Sequence, residues 1–148
     1  MIADKRKCFF VLLVTFATGG CGEGDRLSRQ EFVREATEIC SPLERELEAL
    51  PQPQSLSDLG TYARRAGELT EEGRERLREL RPPEALERPF ERYLARVDQV
   101  VELLDELESA ADGGEDDEAQ RLVGEIAEVD DAQDLARAAG IPACERSS

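Results

Sequence analysis

Side chains that could act as nucleophiles, general bases or metal ligands are scarce in this 148-residue chain. It contains four cysteines, Cys8, Cys21, Cys40 and Cys144, and no histidine. Its only lysines, Lys5 and Lys7, lie near the start. Acid–base and covalent catalysis rely most often on these residue types, and no G-x-S-x-G motif replaces them. The sequence therefore predicts a non-catalytic protein, with no catalytic residue and no cofactor.

Carboxylates are abundant, because the chain contains 34 aspartates and glutamates. The acidic segment 112–118 could attract calcium, but it lacks the spacing of an EF-hand loop and its closing glutamate. Asp130, Asp131 and Asp134 form a second acidic group. A solvated loop that caps a helix explains the first, and a solvated helix face explains the second. We therefore predict no metal site.

Three basic residues, Lys5-Arg6-Lys7, precede an uncharged run from Cys8 to Thr18. This order is typical of the n-region and h-region of a signal peptide. The run of 11 residues is too short to span a bilayer, which requires about 20. A buried core helix is the alternative, but the preceding basic residues and the following glycines favour a signal peptide.

The next segment, Ala17-Thr18-Gly19-Gly20-Cys21, resembles the lipobox of bacterial lipoproteins. In that family the cysteine sulfur receives a diacylglyceryl group, and the chain is cleaved directly before it. The resemblance implies a signal peptide over residues 1–20 and lipid attachment at Cys21. Thr18 stands where the family usually has leucine. An ordinary secretory signal that leaves Cys21 as a free thiol is the alternative.

Lipid attachment at Cys21 would define the domain organisation. Two acyl chains hold a protein stably on a membrane, whereas one holds it only marginally. Residues 21–27 would form a flexible polar tether, and residues 28–148 a single folded domain. Gly22 rather than aspartate follows the cysteine. In a host with an outer membrane, the resemblance therefore implies no signal for retention at the inner membrane.

Cys40 and Cys144 remain after this processing. An even pair of thiols in an oxidising, extracytoplasmic compartment predicts a disulfide. Cys144 directly follows a predicted helix end, and Cys40 lies beside Pro42, so both backbones have room to adopt the bond. Two buried free thiols are the alternative. A zinc site is not expected, because two thiols without histidine do not complete its ligand set.

The chain is strongly acidic, with a formal net charge of −15. Residues 1–20 carry a net charge of +2, so the mature chain would carry −17. Such a charge repels nucleic acid and anionic lipid headgroups. We therefore expect no nucleic-acid partner, and contact with the membrane only through the acyl chains on Cys21.

Apolar residues recur at steps of three and four, which predicts amphipathic helices. Ser28-Arg29-Gln30-Glu31 has the pattern of a capping box and begins the first helix. Pro42 predicts a kink or a break within it. Either Ser55 or Ser57 begins the second helix, and Pro82-Pro83 separates it from the third.

The third helix has the most regular apolar pattern and is expected to end at Asp112-Gly113-Gly114. The fourth begins in the acidic residues from Glu115 and is expected to end at Gly140, a left-handed cap followed by Ile141 and Pro142. No alternating strand pattern occurs in the sequence. These features predict an all-α fold, an antiparallel four-helix up-and-down bundle.

Several features together resemble small, mostly uncharacterised lipoproteins of high-GC bacteria. They are the lipobox, a cysteine in the first helix, the break Leu80-Arg81-Pro82-Pro83 and the ending Ala138-Ala139-Gly140-Ile141-Pro142-Ala143-Cys144. The family supplies no activity and no site residue beyond the three cysteines. The features predict a lipid-anchored extracytoplasmic domain that contacts an envelope protein partner. A binding protein or sensor for a small ligand or cation is the alternative.

Overall fold

The computed structural model describes residues 26–129 and 131–145; the predicted signal peptide, Cys21 and the tether up to Asp25 lie outside these ranges. Within them the fold is all-helical and contains no strand, which confirms that the domain is all-α. A helix able to span a membrane is not found in the described residues. The helices are α1 (Arg29–Glu48), α2 (Leu56–Arg78), α3 (Glu84–Asp112), α4 (Asp116–Glu128), α5 (Asp131–Ala138) and a 3-10 turn (Pro142–Cys144).

The predicted capping box begins α1. The Glu31 backbone N–H donates to Ser28 Oγ at 3.3 Å, and the Ser28 N–H donates to Glu31 Oε2 at 2.9 Å. Hydrogen bonding to Ser28 lowers the pKa of the Glu31 carboxyl, and the Ser28 side chain has a larger effect than its backbone. Helix α2 begins in a similar way, because the Asp58 N–H donates to Ser55 Oγ at 3.1 Å. Ser55, and not Ser57, is therefore its N-cap.

Helix α1 continues through Pro42, so of the predicted kink or break the break is wrong, and the kink stays a prediction. Proline lacks the N–H that would bond to the carbonyl four residues earlier, which removes one bond from the helix. Packing on both sides of the proline compensates for this loss. Ile39 and Cys40 before it are buried, and Leu43 after it packs against α2 at Gly73.

Helices α2 and α3 form a closely packed antiparallel pair. An added Cβ on Gly60 would lie 3.2 Å from the Ala111 Cβ and 3.0 Å from Asp112 Oδ1. An added Cβ on Gly67, two turns later in α2, would lie 3.7 Å from the Leu104 Cβ. The small side of α2 therefore faces α3 directly, with the start of α2 beside the end of α3.

This packing predicts opposite effects for two glycine substitutions. Gly60→Ala should lower the free energy of unfolding by about 1 kcal/mol, because overpacking costs 1–3 kcal/mol and exceeds the gain in helix propensity. Gly124→Ala should raise it by about 0.5–1 kcal/mol, because Gly124 is helical and has no atom within 4 Å of an added Cβ. Urea unfolding of the two variants measures both effects. Equal shifts of one sign would contradict the packing.

The fourth predicted helix is divided in two, which corrects the expectation of one continuous helix. Helix α4 ends at Glu128, Val129 has a ψ of 26°, and α5 begins at Asp131. Acidic side chains are unfavourable at a helix C-terminus and favourable at an N-terminus. The division places Asp131 in the first turn of α5, where Arg96 Nη2 donates to Asp131 Oδ2 at 2.6 Å.

The buried side chains form two clusters along the helices. We call the first the attachment-end cluster, because it lies at the end of the domain where residues 26 and 27 join it. It connects α1, α5 and the ends of α2 and α3 next to their connection, and in it the Phe32 and Phe90 rings meet edge to face at 5.0 Å. The tip cluster joins the other ends of α2 and α3 to α4. The first contains Phe32, Ala36, Ile39, Cys40, Leu77, Leu86, Phe90, Tyr93, Ala136, Ala139 and Ile141, and the second Ala63, Ala66, Val100, Leu103, Leu104, Leu107, Ala110, Ala119 and Leu122.

Candidate functional site: the disulfide and the attachment end

The structure joins Cys40 and Cys144 in a disulfide, which confirms the predicted pair. Their Cα atoms lie 5.0 Å apart, although 104 positions separate them in the sequence. Cys40 belongs to the buried face of α1 and is 4% exposed. Cys144 ends the C-terminal 3-10 turn and is partly exposed. The bond therefore fixes the end of the described chain to the middle of its first helix.

A left-handed glycine directs the chain from α5 toward Cys144. Gly140 has a φ of 75°, which non-glycine residues rarely adopt. The Ile141 N–H donates to the Ala136 carbonyl at 3.0 Å, and the Ile141 side chain is 1% exposed. This is the predicted helix cap with its apolar contact. The cap turns the chain so that Cys144 reaches α1.

Both tyrosines lie on apolar helix faces. Tyr93 is buried in the attachment-end cluster, and its hydroxyl donates to the Cys144 carbonyl at 3.4 Å. Tyr62 is partly buried beside the tip cluster. Tyr93 therefore helps to hold the disulfide-bonded segment, so its role in the described structure is packing and orientation.

The last two residues of the predicted tether, Arg26 and Leu27, are fixed to the connection between α2 and α3, so they belong to the folded domain. The Leu27 N–H donates to the Arg81 carbonyl at 2.9 Å. Arg26 donates to the Pro82 carbonyl at 3.2 Å and to Glu87 Oε2 at 3.0 Å. Cys21 itself lies outside the described residues. Any anchor at Cys21 would therefore enter the domain at this end, which we call the attachment end.

The acidic residues do not form a metal centre within the described ranges. No group of three or more cysteine, aspartate or glutamate side chains there is arranged to hold a metal ion. The acidic segment 112–118 is mostly exposed and connects α3 to α4, as predicted. Arg121 pairs with Glu118 and Glu125, and the hydrogen bond from Arg121 lowers the pKa of the Glu118 carboxyl.

One ion-pair network was not predicted from the sequence. Arg74 Nη1 donates to Asp98 Oδ1 at 2.8 Å, and Arg78 Nη2 donates to the same oxygen at 2.7 Å. Arg74 also pairs with Glu71, and its side chain is only 16% exposed. The network links the C-terminal turns of α2 to the middle of α3. The available sequence signal was two arginines four residues apart, which does not identify a partner 20 or more positions away.

No protein-family model matches this chain, and no curated protein or solved structure does so. The resemblance to bacterial lipoproteins rests on the motifs in the sequence. The described residues add the disulfide and the position of the attachment end. These two features determine how a lipid anchor on Cys21 would hold the domain.

Proposed function

We propose that this chain is an extracytoplasmic lipoprotein whose helical domain is held at the membrane by acyl chains on Cys21. The observation that carries the proposal is the order of the basic residues 5–7, the apolar run 8–18 and the lipobox ending at Cys21. Each part has a separate task in export: the first orients the segment, the second inserts it, and the third presents the cysteine for modification.

The disulfide supports the extracytoplasmic location. Disulfides persist in oxidising compartments and are rare in the reducing cytosol. Cys40 is almost fully buried in the structure, where it is bonded to Cys144. This support does not use the lipobox residues, because Cys40 lies 19 positions after Cys21 and Cys144 lies farther still.

The attachment end supports a defined orientation. Arg26 and Leu27 are bound to the domain, so five residues, 21–25, would link it to the acyl chains. A fully extended chain spans about 3.5 Å per residue, so this tether would reach at most about 18 Å. The connection between α2 and α3 would face the membrane, and the segment 112–118 would point away from it.

We infer that the helices form an antiparallel up-and-down bundle in which α4 and α5 together take the place of the fourth helix. The close antiparallel contact of α2 and α3 supports this arrangement. So does the disulfide, because it brings the C-terminal turn back to α1 and closes the bundle at the attachment end.

We propose a non-catalytic role, as an interaction or accessory domain at the cell envelope. The mature sequence lacks histidine and lysine, the side chains most used as general bases and amine nucleophiles. What it offers to a partner is a disulfide-closed helical surface with a large negative charge. The distribution of the native chain and of Cys21→Ala between membrane and soluble extracytoplasmic fractions tests the anchor.

A further inference from the structure

Helix α1 is too short to accompany α2 along its whole length. Leu43 packs against Gly73, which fixes the relative position of the two antiparallel helices. Beyond this contact α1 extends to Glu48, about 7 Å, whereas α2 extends to Leu56, about 25 Å. The last 18 Å or so of α2 therefore extends beyond the end of α1. The connection 49–55 and the start of α4 border this region instead.

A groove occupies this region, and we call it the tip groove. One wall is Pro53–Leu59, from the connection and the start of α2, and the other is α4 at Asp116, Ala119 and Gln120; its volume is about 290 Å³. Val123 does not line the groove itself, but it lies one turn beyond Ala119 and Gln120 on the same side of α4. The Val123 side chain is 44% exposed, and every other large hydrophobic side chain in the described residues is more buried.

The negative charge is concentrated around the tip groove. Residues 44–70 and 101–129 form the half of the domain that contains it, with 16 acidic residues and four arginines. The other described residues contain 14 acidic residues and 11 arginines. The half with the groove therefore carries −12, against −3 at the attachment end. Asp112, Glu115, Asp116 and Asp117 are exposed there and form no ion pair within the described residues.

We propose that the tip groove binds a basic amphipathic helical segment of a partner protein. The apolar side chains of that segment would enter between Leu59 and Val123, and its lysines or arginines would pair with the free carboxylates at the rim. A helix of about 12 residues would match the 18 Å or so of α2 that extends beyond α1. This inference rests on the proposed function for its setting, since an anchor at the opposite end leaves the groove accessible.

Charge complementarity decides among the possible occupants. A second copy of this chain would place two surfaces of −12 against each other, and like charges oppose such an interface. The predicted tether joins the domain at the attachment end, through Leu27, and the groove lies at the other end of the domain. The tether is therefore not a suitable occupant of the groove. A positively charged helix instead gains electrostatic attraction and covers Val123, which is left exposed in the chain alone.

A synthetic peptide tests the proposal with the full-length protein. The probe has 12 residues, with leucines spaced three and four apart and lysines on the opposite face; matched peptides carry glutamine or glutamate in place of lysine. We expect binding in the order lysine, glutamine, glutamate. Asp116→Asn/Asp117→Asn should weaken binding of the lysine peptide about tenfold, as should Val123→Asn, which leaves the acidic start of α4 intact.

The matched control is Glu72→Gln/Glu75→Gln, which changes the net charge equally but at exposed positions in the attachment-end half of α2. It should change the dissociation constant less than about twofold. Absence of binding, equal weakening by both double variants, or a Val123-dependent dimer in sedimentation would each overturn the proposal. Circular dichroism verifies that the variants remain helical. Failure of the lipid anchor would leave this titration unchanged, so the two proposals fail separately.

Discussion

Replacing Cys40 and Cys144 together by alanine should lower the free energy of unfolding by about 4 kcal/mol. The disulfide closes a loop with a sequence separation of 104. In the chain-entropy description, a loop of 100 residues contributes about 4.7 kcal/mol, and measured values are commonly lower. Since a whole domain is stable by only about 5–15 kcal/mol, loss of this bond removes a large fraction of the stability.

Removal of the disulfide should also loosen the packing of neighbouring residues. Ala136, Ala139 and Ile141 belong to the buried attachment-end cluster, and they precede Cys144 directly. Without the bond, this C-terminal segment can detach from α1 as a unit and expose Phe32 and its neighbours. We therefore expect the unfolding of the double variant to begin at the attachment end.

Urea unfolding with and without reductant measures this effect. Reductant should destabilise the native chain to about the level of the double variant, and it should leave the double variant unchanged. The matched control is Cys21→Ala, which removes a cysteine outside the described domain and should retain the native stability. A loss below about 1 kcal/mol in the double variant would contradict the assigned role of the disulfide.

Replacing Cys21 by alanine should abolish membrane association. Each buried methylene of an acyl chain contributes about 0.8 kcal/mol, and two chains are required for stable anchoring. The mature chain offers no electrostatic substitute, because its charge of −17 is repelled by anionic headgroups. The effect should therefore be all-or-none and not a partial weakening.

Fractionation of cells that express each variant measures this prediction. The native chain should remain with membranes through a salt wash and be released by detergent, whereas Cys21→Ala should be soluble once residues 1–20 are removed. A precursor that keeps these residues would stay at the membrane through its apolar run 8–18 and is distinguished by its larger mass. The variant Cys40→Ala/Cys144→Ala serves as the control, since it retains the lipobox and should still be anchored. Salt-resistant membrane binding by Cys21→Ala from which residues 1–20 have been removed would contradict the lipid anchor.

Features that depend on neighbouring residues could be predicted from the sequence. The cap formed by Ser28 and Glu31 and the left-handed turn at Gly140 are examples, because each depends on a few adjacent side chains. The break that was one of the two expectations at Pro42 does not occur, because it depends on more than the adjacent residues. A proline weakens the local helix, but the packing of residues on both sides of it determines whether the helix continues.

Features that depend on the relative position of helices could not be predicted. The partner of Arg74 is Asp98 on the next helix, and the periodicity of a single helix gives no register between two. The tip groove likewise follows from where α1 ends relative to α2. The Cys40–Cys144 pair was predictable despite its separation, because the predicted signal peptide and lipid attachment leave these two cysteines as the one possible pair.

The intact mass of the native protein, extracted from membranes with detergent, tests the central claim most directly. The account predicts a chain that begins at Cys21, carries a diacylglyceryl group and lacks two hydrogens, which return when the Cys40–Cys144 bond is reduced. A mass equal to the unmodified sequence from Met1, with all cysteines as thiols, would contradict it.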